Sequence, residues 1–76
     1  MNSKKIEKAI SEIGERVKKR RLEMDLTQAE LAKLAGLTKT TVVQIEIGDA
    51  KPSQIILFKL SRVFKVTIDE LVDGDI

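Results

Sequence analysis

Apolar residues recur at three- and four-residue steps along most of the chain. Ile6, Ile10, Ile13 and Val17 form the first stripe. That spacing places them on one face of a helix running from Ser3 or Lys4 to Met24. Gly14 lies inside the stripe and costs a helix about 1 kcal/mol relative to Ala, so the pattern also admits a break or kink there. Asp25 follows, a residue type that tolerates the left-handed conformation ending a helix. A second helix spans Gln28 to Ala35, with Leu31, Ala32 and Ala35 inward. Thr27 and Glu30 have the spacing of a capping box, and Gly36 supplies the stop. Thr38 is an N-cap residue for a third helix that ends near Ile47, with Val42 and Ile45 inward and Gly48 behind it. A fourth helix follows Pro52 with Ser53 as N-cap and reaches Phe64, turning Ile56, Leu57, Leu60 and Phe64 inward. A fifth, from Ile68 to Val72, opens with a second capping box, Thr67 and Glu70.

Strand alternation is weak, and no two-residue hairpin turn is present. The pattern therefore predicts a compact all-α fold of five helices. Its expected core is Ile13, Val17, Leu26, Leu31, Ala32, Leu37, Val42, Ile45, Leu57, Leu60, Phe64, Val66 and Leu71.

Composition narrows the chemistry. The 76 residues suit a single domain, 1–76, and contain neither Cys nor His. Disulfides, thiolate catalysis, zinc fingers and an imidazole base are excluded. No phosphate-cradling glycine loop is present, and the carboxylates read as caps and surface charges. The expectation is a protein that is not an enzyme and needs no cofactor or metal. The longest apolar run, Ile55 to Phe58, is too short to cross a bilayer, and nothing near Lys4 and Lys5 reads as a secretory signal. A cytoplasmic location is expected.

The net charge of +2 is unevenly distributed, with +4 in residues 1–39 and −2 in residues 40–76. Arg16, Lys18, Lys19, Arg20 and Arg21 form the densest basic cluster, which is either a phosphate-neutralising patch or a solvated helix face.

Helices 2 and 3, joined by Ala35-Gly36-Leu37-Thr38, have the form of a helix-turn-helix. On helix 3 the direction opposite Val42 and Ile45 is occupied by Thr40, Val43, Gln44 and Ile47, with Lys39 and Thr41 flanking it. Recognition helices present such N-terminal residues to base edges. Lys donates to guanine, Gln pairs with adenine, and Thr donates, accepts or touches a thymine methyl. An ordinary solvated polar face would show the same residue types.

The individual stretches then make a resemblance. Ile-Gly-Glu-Arg-Val (13–17), Leu-Thr-Gln-Ala-Glu-Leu-Ala (26–32), Ala-Gly-Leu-Thr-Lys-Thr-Thr-Val (35–42), Gln-Ile-Glu-Ile-Gly (44–48), Pro-Ser (52–53) and Val-Thr-Ile-Asp-Glu-Leu (66–71) follow one another without a gap. Residues 13–71 resemble the lambda-repressor-like helix-turn-helix family, also called the XRE/Cro family. Residues 1–12 form a helical extension outside the match. The resemblance implies sequence-specific binding of double-stranded DNA by a transcriptional regulator. It further implies a repressor acting as a dimer on a pseudo-palindromic operator.

The resemblance also distributes roles. Lys39, Thr40 and Gln44 match base readers, with Thr41 and Val43 as secondary candidates. Gln28 and Thr38 match phosphate contacts, the Gln28 side chain also being placed to brace Gln44. Lys51 falls in the loop that runs along the DNA backbone. Arg21 and Glu46 match a structural ion pair.

Some positions depart from the family pattern. Ile47 replaces the usual Arg, Lys or Asn, and Arg20 replaces a core Leu. Either Leu22 and Met24 repack the first helix, or Arg20 lays its stem over the core. Gln54-Ile55 replaces Leu-Glu, which would rotate the start of helix 4. Ile68, Leu71, Val72 and Ile76 are the candidate homodimer surface, although Ile68 and Leu71 equally suit closure of the core. Ile47, Val43 and the extra N-terminal turns motivate an alternative, a protein-interaction module such as the antitoxin of a toxin–antitoxin pair.

Overall fold

Four of the helices begin where the sequence supplies a side-chain acceptor for free backbone amides. Thr27, Thr38, Ser53 and Thr67 accept from the amides of Glu30, Thr41, Ile56 and Glu70. Glu30 and Glu70 accept in return from the amides of Thr27 and Thr67, completing both capping boxes. The resulting elements are α1 (Ser3–Glu23), α2 (Gln28–Ala35), α3 (Lys39–Glu46), α4 (Gln54–Phe64) and α5 (Ile68–Asp73). The structure is a computed structural model and describes residues 3–74. No strand occurs among the described residues.

Helix ends use the left-handed region. Gly36 has φ +70° after α2, and Asp25 has φ +56° after α1. Lys65, with φ +58°, ends α4 by donating its amide to the Ser61 carbonyl. Nothing in its residue type announces that conformation.

The inward stripes meet in one core. Val17, Leu31, Val42, Ile45, Leu60 and Leu71 are fully buried, joined by Ile13, Ala32, Ala35, Leu57 and Phe64. α1 packs on α3 and α5, and α2 packs on α3 and α4. Leu26, Leu37 and Val66, expected inside, are only partly buried at the core margin.

Gly14 does not break α1. It is buried, and the helix runs through it. A Cβ added there would collide with the Ile45 carbonyl oxygen and lie 3.0 Å from that of Glu46. Glycine lets α1 lie directly against the backbone at the end of α3.

Several expectations are corrected. Leu71 is sealed in the core, so it cannot be a dimer contact, while Ile68 and Val72 are half-buried against the same core. Ile76 lies outside the described residues. Leu22 and Met24 stay exposed and do not repack α1, whereas Arg20 is half-buried. In α4 the departing pair Gln54 and Ile55 is exposed. Leu57, Leu60, Ser61 and Phe64 face inward, and Ile55 simply occupies an outward position. In the N-terminal extension Ile6 is exposed and Ile10 half-buried.

Candidate nucleic-acid interface

The turn between α2 and α3 is fixed by backbone bonds. The Leu37 amide donates to the Ala32 carbonyl at 2.8 Å, and left-handed Gly36 donates to Lys33. Only Gly36, Leu37 and Thr38 separate the two helices, and α3 packs on α1 and α2 with Val42 and Ile45 buried. Its opposite side carries Lys39, Thr40 and Gln44, all exposed, with Val43 and Thr41 half-buried. Thr38 accepts from the Thr41 amide, and the two hydroxyls lie 2.9 Å apart. Thr41 is thus tied into the helix cap. Thr38 itself is exposed beside the free N–H groups of the first turn, a setting that favours anions. Lys51 is exposed in the loop leading to α4, next to buried Pro52.

A buried polar network holds the end of α3. Arg21 Nε donates to Glu46 Oε2 at 2.7 Å, and Nη2 donates to Oε1 at 3.1 Å. Arg21 Nη1 donates to the Leu26 carbonyl at 2.8 Å. Gln28 Nε2 also donates to Glu46 Oε1, at 3.1 Å. Glu46 therefore ties α1 and α2 to the last turn of α3, and Arg21 adds the α1–α2 turn. Its hydrogen bond with Arg21 raises the guanidinium pKa above the ordinary value, outweighing the opposing effect of burial. Among the described residues, no buried side-chain polar atom is left without a partner. Gln28 does not brace Gln44. Its amide nitrogen is engaged by Glu46 instead, and this is a correction to the sequence expectation.

The basic cluster of α1 is likewise divided. Arg21 serves the network just described. Arg16 Nη1 donates to the Val72 carbonyl at 2.6 Å and to the Leu71 carbonyl at 3.2 Å. Its Nη2 reaches Glu12 at 3.5 Å. Arg16 thus closes the C-terminal end of α5 onto α1. The sequence offered only the four-residue spacing to Glu12 as a hint, and nothing pointed to α5. No group of acidic side chains among the described residues could hold a metal ion, and no helix is long and apolar enough to cross a membrane.

Comparison with known proteins agrees with this geometry. Residues 17–71 match the family model described as helix-turn-helix. An uncharacterized HTH-type transcriptional regulator of Archaeoglobus fulgidus is 38% identical over 56 residues, covering 74% of this chain and 79% of that protein. The c2 repressor of Salmonella phage P22, solved in complex with a synthetic operator, superposes with a TM-score of 0.79 at 32% identity. That likeness covers 83% of this chain and 96% of the repressor chain. The restriction-modification controller protein C.AhdI of Aeromonas hydrophila gives a TM-score of 0.78 at 29% identity, over 82% and 94% of the two chains. The chain therefore belongs to the lambda-repressor-like helix-turn-helix family of DNA-binding transcription regulators.

Proposed function

We propose that the protein is a repressor that binds double-stranded DNA through α3, as a homodimer on a pseudo-palindromic operator. The observation that carries this reading is the presentation of Lys39, Thr40 and Gln44. They stand exposed on a capped helix whose far end is anchored by Arg21, Glu46 and Gln28. Lys39, Thr40 and Gln44 read bases, with Thr41 and Val43 contributing at the edge of the contact. Phosphates are held by Thr38, Lys51 and Gln28. For Gln28 the donors are its backbone N–H at the start of α2 and the second N–H of its side-chain amide, the first being given to Glu46. The Arg21–Glu46 pair is scaffold.

Two modules would place their α3 helices in successive major grooves, roughly 34 Å apart. Leu71 is unavailable for dimer contact, so the partly exposed side chains of Ile68 and Val72 carry that role. The protein is a binding module rather than an enzyme, and acts in the cytoplasm, where its operator lies.

Selection from random duplexes tests the reading. Enrichment of a two-fold symmetric site, with affinity falling steeply as salt rises, supports it. Weak binding that is flat in salt refutes it.

One observation favours the alternative of a protein-interaction module such as an antitoxin. Ile47 is 65% exposed at the end of α3, where a polar residue would suit a phosphate backbone. Tight association with a protein partner that Ile47→Lys abolishes, together with flat salt dependence on DNA, would select that reading.

A further inference from the structure

Of the large apolar side chains left exposed, Met24 and Leu34 line one groove and Phe58 lies at its edge beside Arg62. Leu34 on α2 is 60% exposed, Phe58 on α4 51% and Met24, just past α1, 44%. Met24, Leu34, Ala35 and Val63 form the floor of an open groove between the ends of α1 and α2 and the outer face of α4. Its volume, about 440 Å³, lies within the range of ligand clefts. Lys59 and Arg62 line the same groove. The Arg62 guanidinium sits 5.7 Å from the centre of the Phe58 ring, which holds that cation at the groove edge. Among the described residues, no carboxylate and no residue of α3 lines it.

We propose that this groove is a docking site for an amphipathic helix of a partner protein whose apolar anchors are flanked by carboxylates. Helix-in-groove recognition needs an apolar trough for anchors at i, i+3, i+4 and i+7. Met24, Leu34 and Val63 supply the trough, and Lys59 and Arg62 supply charges that select an acidic flank. A second copy of this chain is the poorer occupant. Two-fold pairing on this groove would gather two copies of Lys59 and Arg62 in one contact with no carboxylate from its lining, and like charges repel. Because α3 takes no part, an occupant would leave Lys39, Thr40 and Gln44 free for DNA. The inference does not depend on the DNA reading.

The test uses the full chain and two synthetic helical peptides with identical Leu and Phe anchors, one flanked by Glu and the other by Lys. Fluorescence anisotropy measures binding of each. The Glu peptide should bind, and the Lys peptide should bind about tenfold or more weakly. Leu34→Asp and Arg62→Glu should each weaken the Glu peptide about tenfold or more. Both positions are on the surface, and an unchanged melting temperature certifies the fold. The proposal is overturned if neither peptide binds, if both bind equally, or if the variants bind like the parent. It is equally overturned if sedimentation shows that Leu34→Asp splits a dimer of this chain, since the groove would then belong to a second copy.

Discussion

Gly14→Ala sets two physical effects against each other. By helix propensity alone the substitution should stabilise α1 by about 1 kcal/mol. Packing opposes it. The new methyl would overlap the Ile45 carbonyl oxygen and press on that of Glu46. Both obstacles are backbone, so no flexible side chain can swing away. Overpacking of this kind costs about 1–3 kcal/mol, and a rigid obstacle belongs at the upper end. The balance is a net loss of about 2 kcal/mol, or roughly 8–16 °C in melting temperature for a domain of this size.

Thermal and urea unfolding of the parent and the variant measure the loss directly. A functional consequence follows from the same geometry. If α1 is pushed from α3, Glu46 shifts relative to Arg21 and Gln28, and the outward face of α3 tilts. DNA affinity measured well below the melting temperature should therefore fall as well. A variant that melts at or above the parent would refute the close-approach reading. Gly14 would then be only an unfavourable helix residue.

Other perturbations probe the remaining parts. Glu46→Ala leaves Arg21 buried and unpaired and should cost about 3–5 kcal/mol in urea unfolding, the range for breaking a buried pair. Gln44→Ala should lose about 1–3 kcal/mol of affinity for the selected operator while leaving non-specific binding and melting temperature unchanged, as titrations on both duplexes would show. Arg16→Met removes a charged donor from the Leu71 and Val72 carbonyls. Amide hydrogen exchange should then accelerate in α5 more than in α2 or α3. The Glu30 carboxyl is held below its ordinary value by the hydrogen bond from the Thr27 amide and, secondarily, by the Thr27 side chain. Its folded pKa being depressed, its stabilising effect is present above the unfolded value of about 4.5 and is lost as pH falls through the folded one. A Glu30→Gln variant should show less acid sensitivity than the parent between pH 5 and pH 2, and an unchanged acid limb would argue against this cap.

The helices were legible because their signals are local. Thr27 with Glu30, and Thr67 with Glu70, carry cap geometry within four residues, and Gly36 sits where the turn requires a left-handed residue. The buried stripes followed from spacing for the same reason. What escaped was non-local or neutral in residue type. Leu71 fits a dimer stripe and a core stripe equally well, and only the packing of α1 against α5 decides between them. Arg16 looks like its basic neighbours until Leu71 and Val72 arrive from 55 and 56 residues away. Lys65 adopts a left-handed cap that its side chain does nothing to favour.

Gln28 joins the scaffold to the proposed reading surface. At the first position of α2, its backbone amide is one of the donors that no helix turn can satisfy. Its side chain meanwhile reaches Glu46 on α3. A phosphate bound at the start of α2 would thus be linked through one side chain to the residue that fixes the end of α3. Truncating Gln28 to Ala removes the brace and keeps the amide. Replacing it by Glu keeps the length but sets a second carboxylate against Glu46. If the brace orients α3, Gln28→Ala should lower affinity for the operator more than for random duplex, and Gln28→Glu should lower both. A loss from Gln28→Ala that is equal on the two duplexes would mean that the side chain serves the phosphate alone.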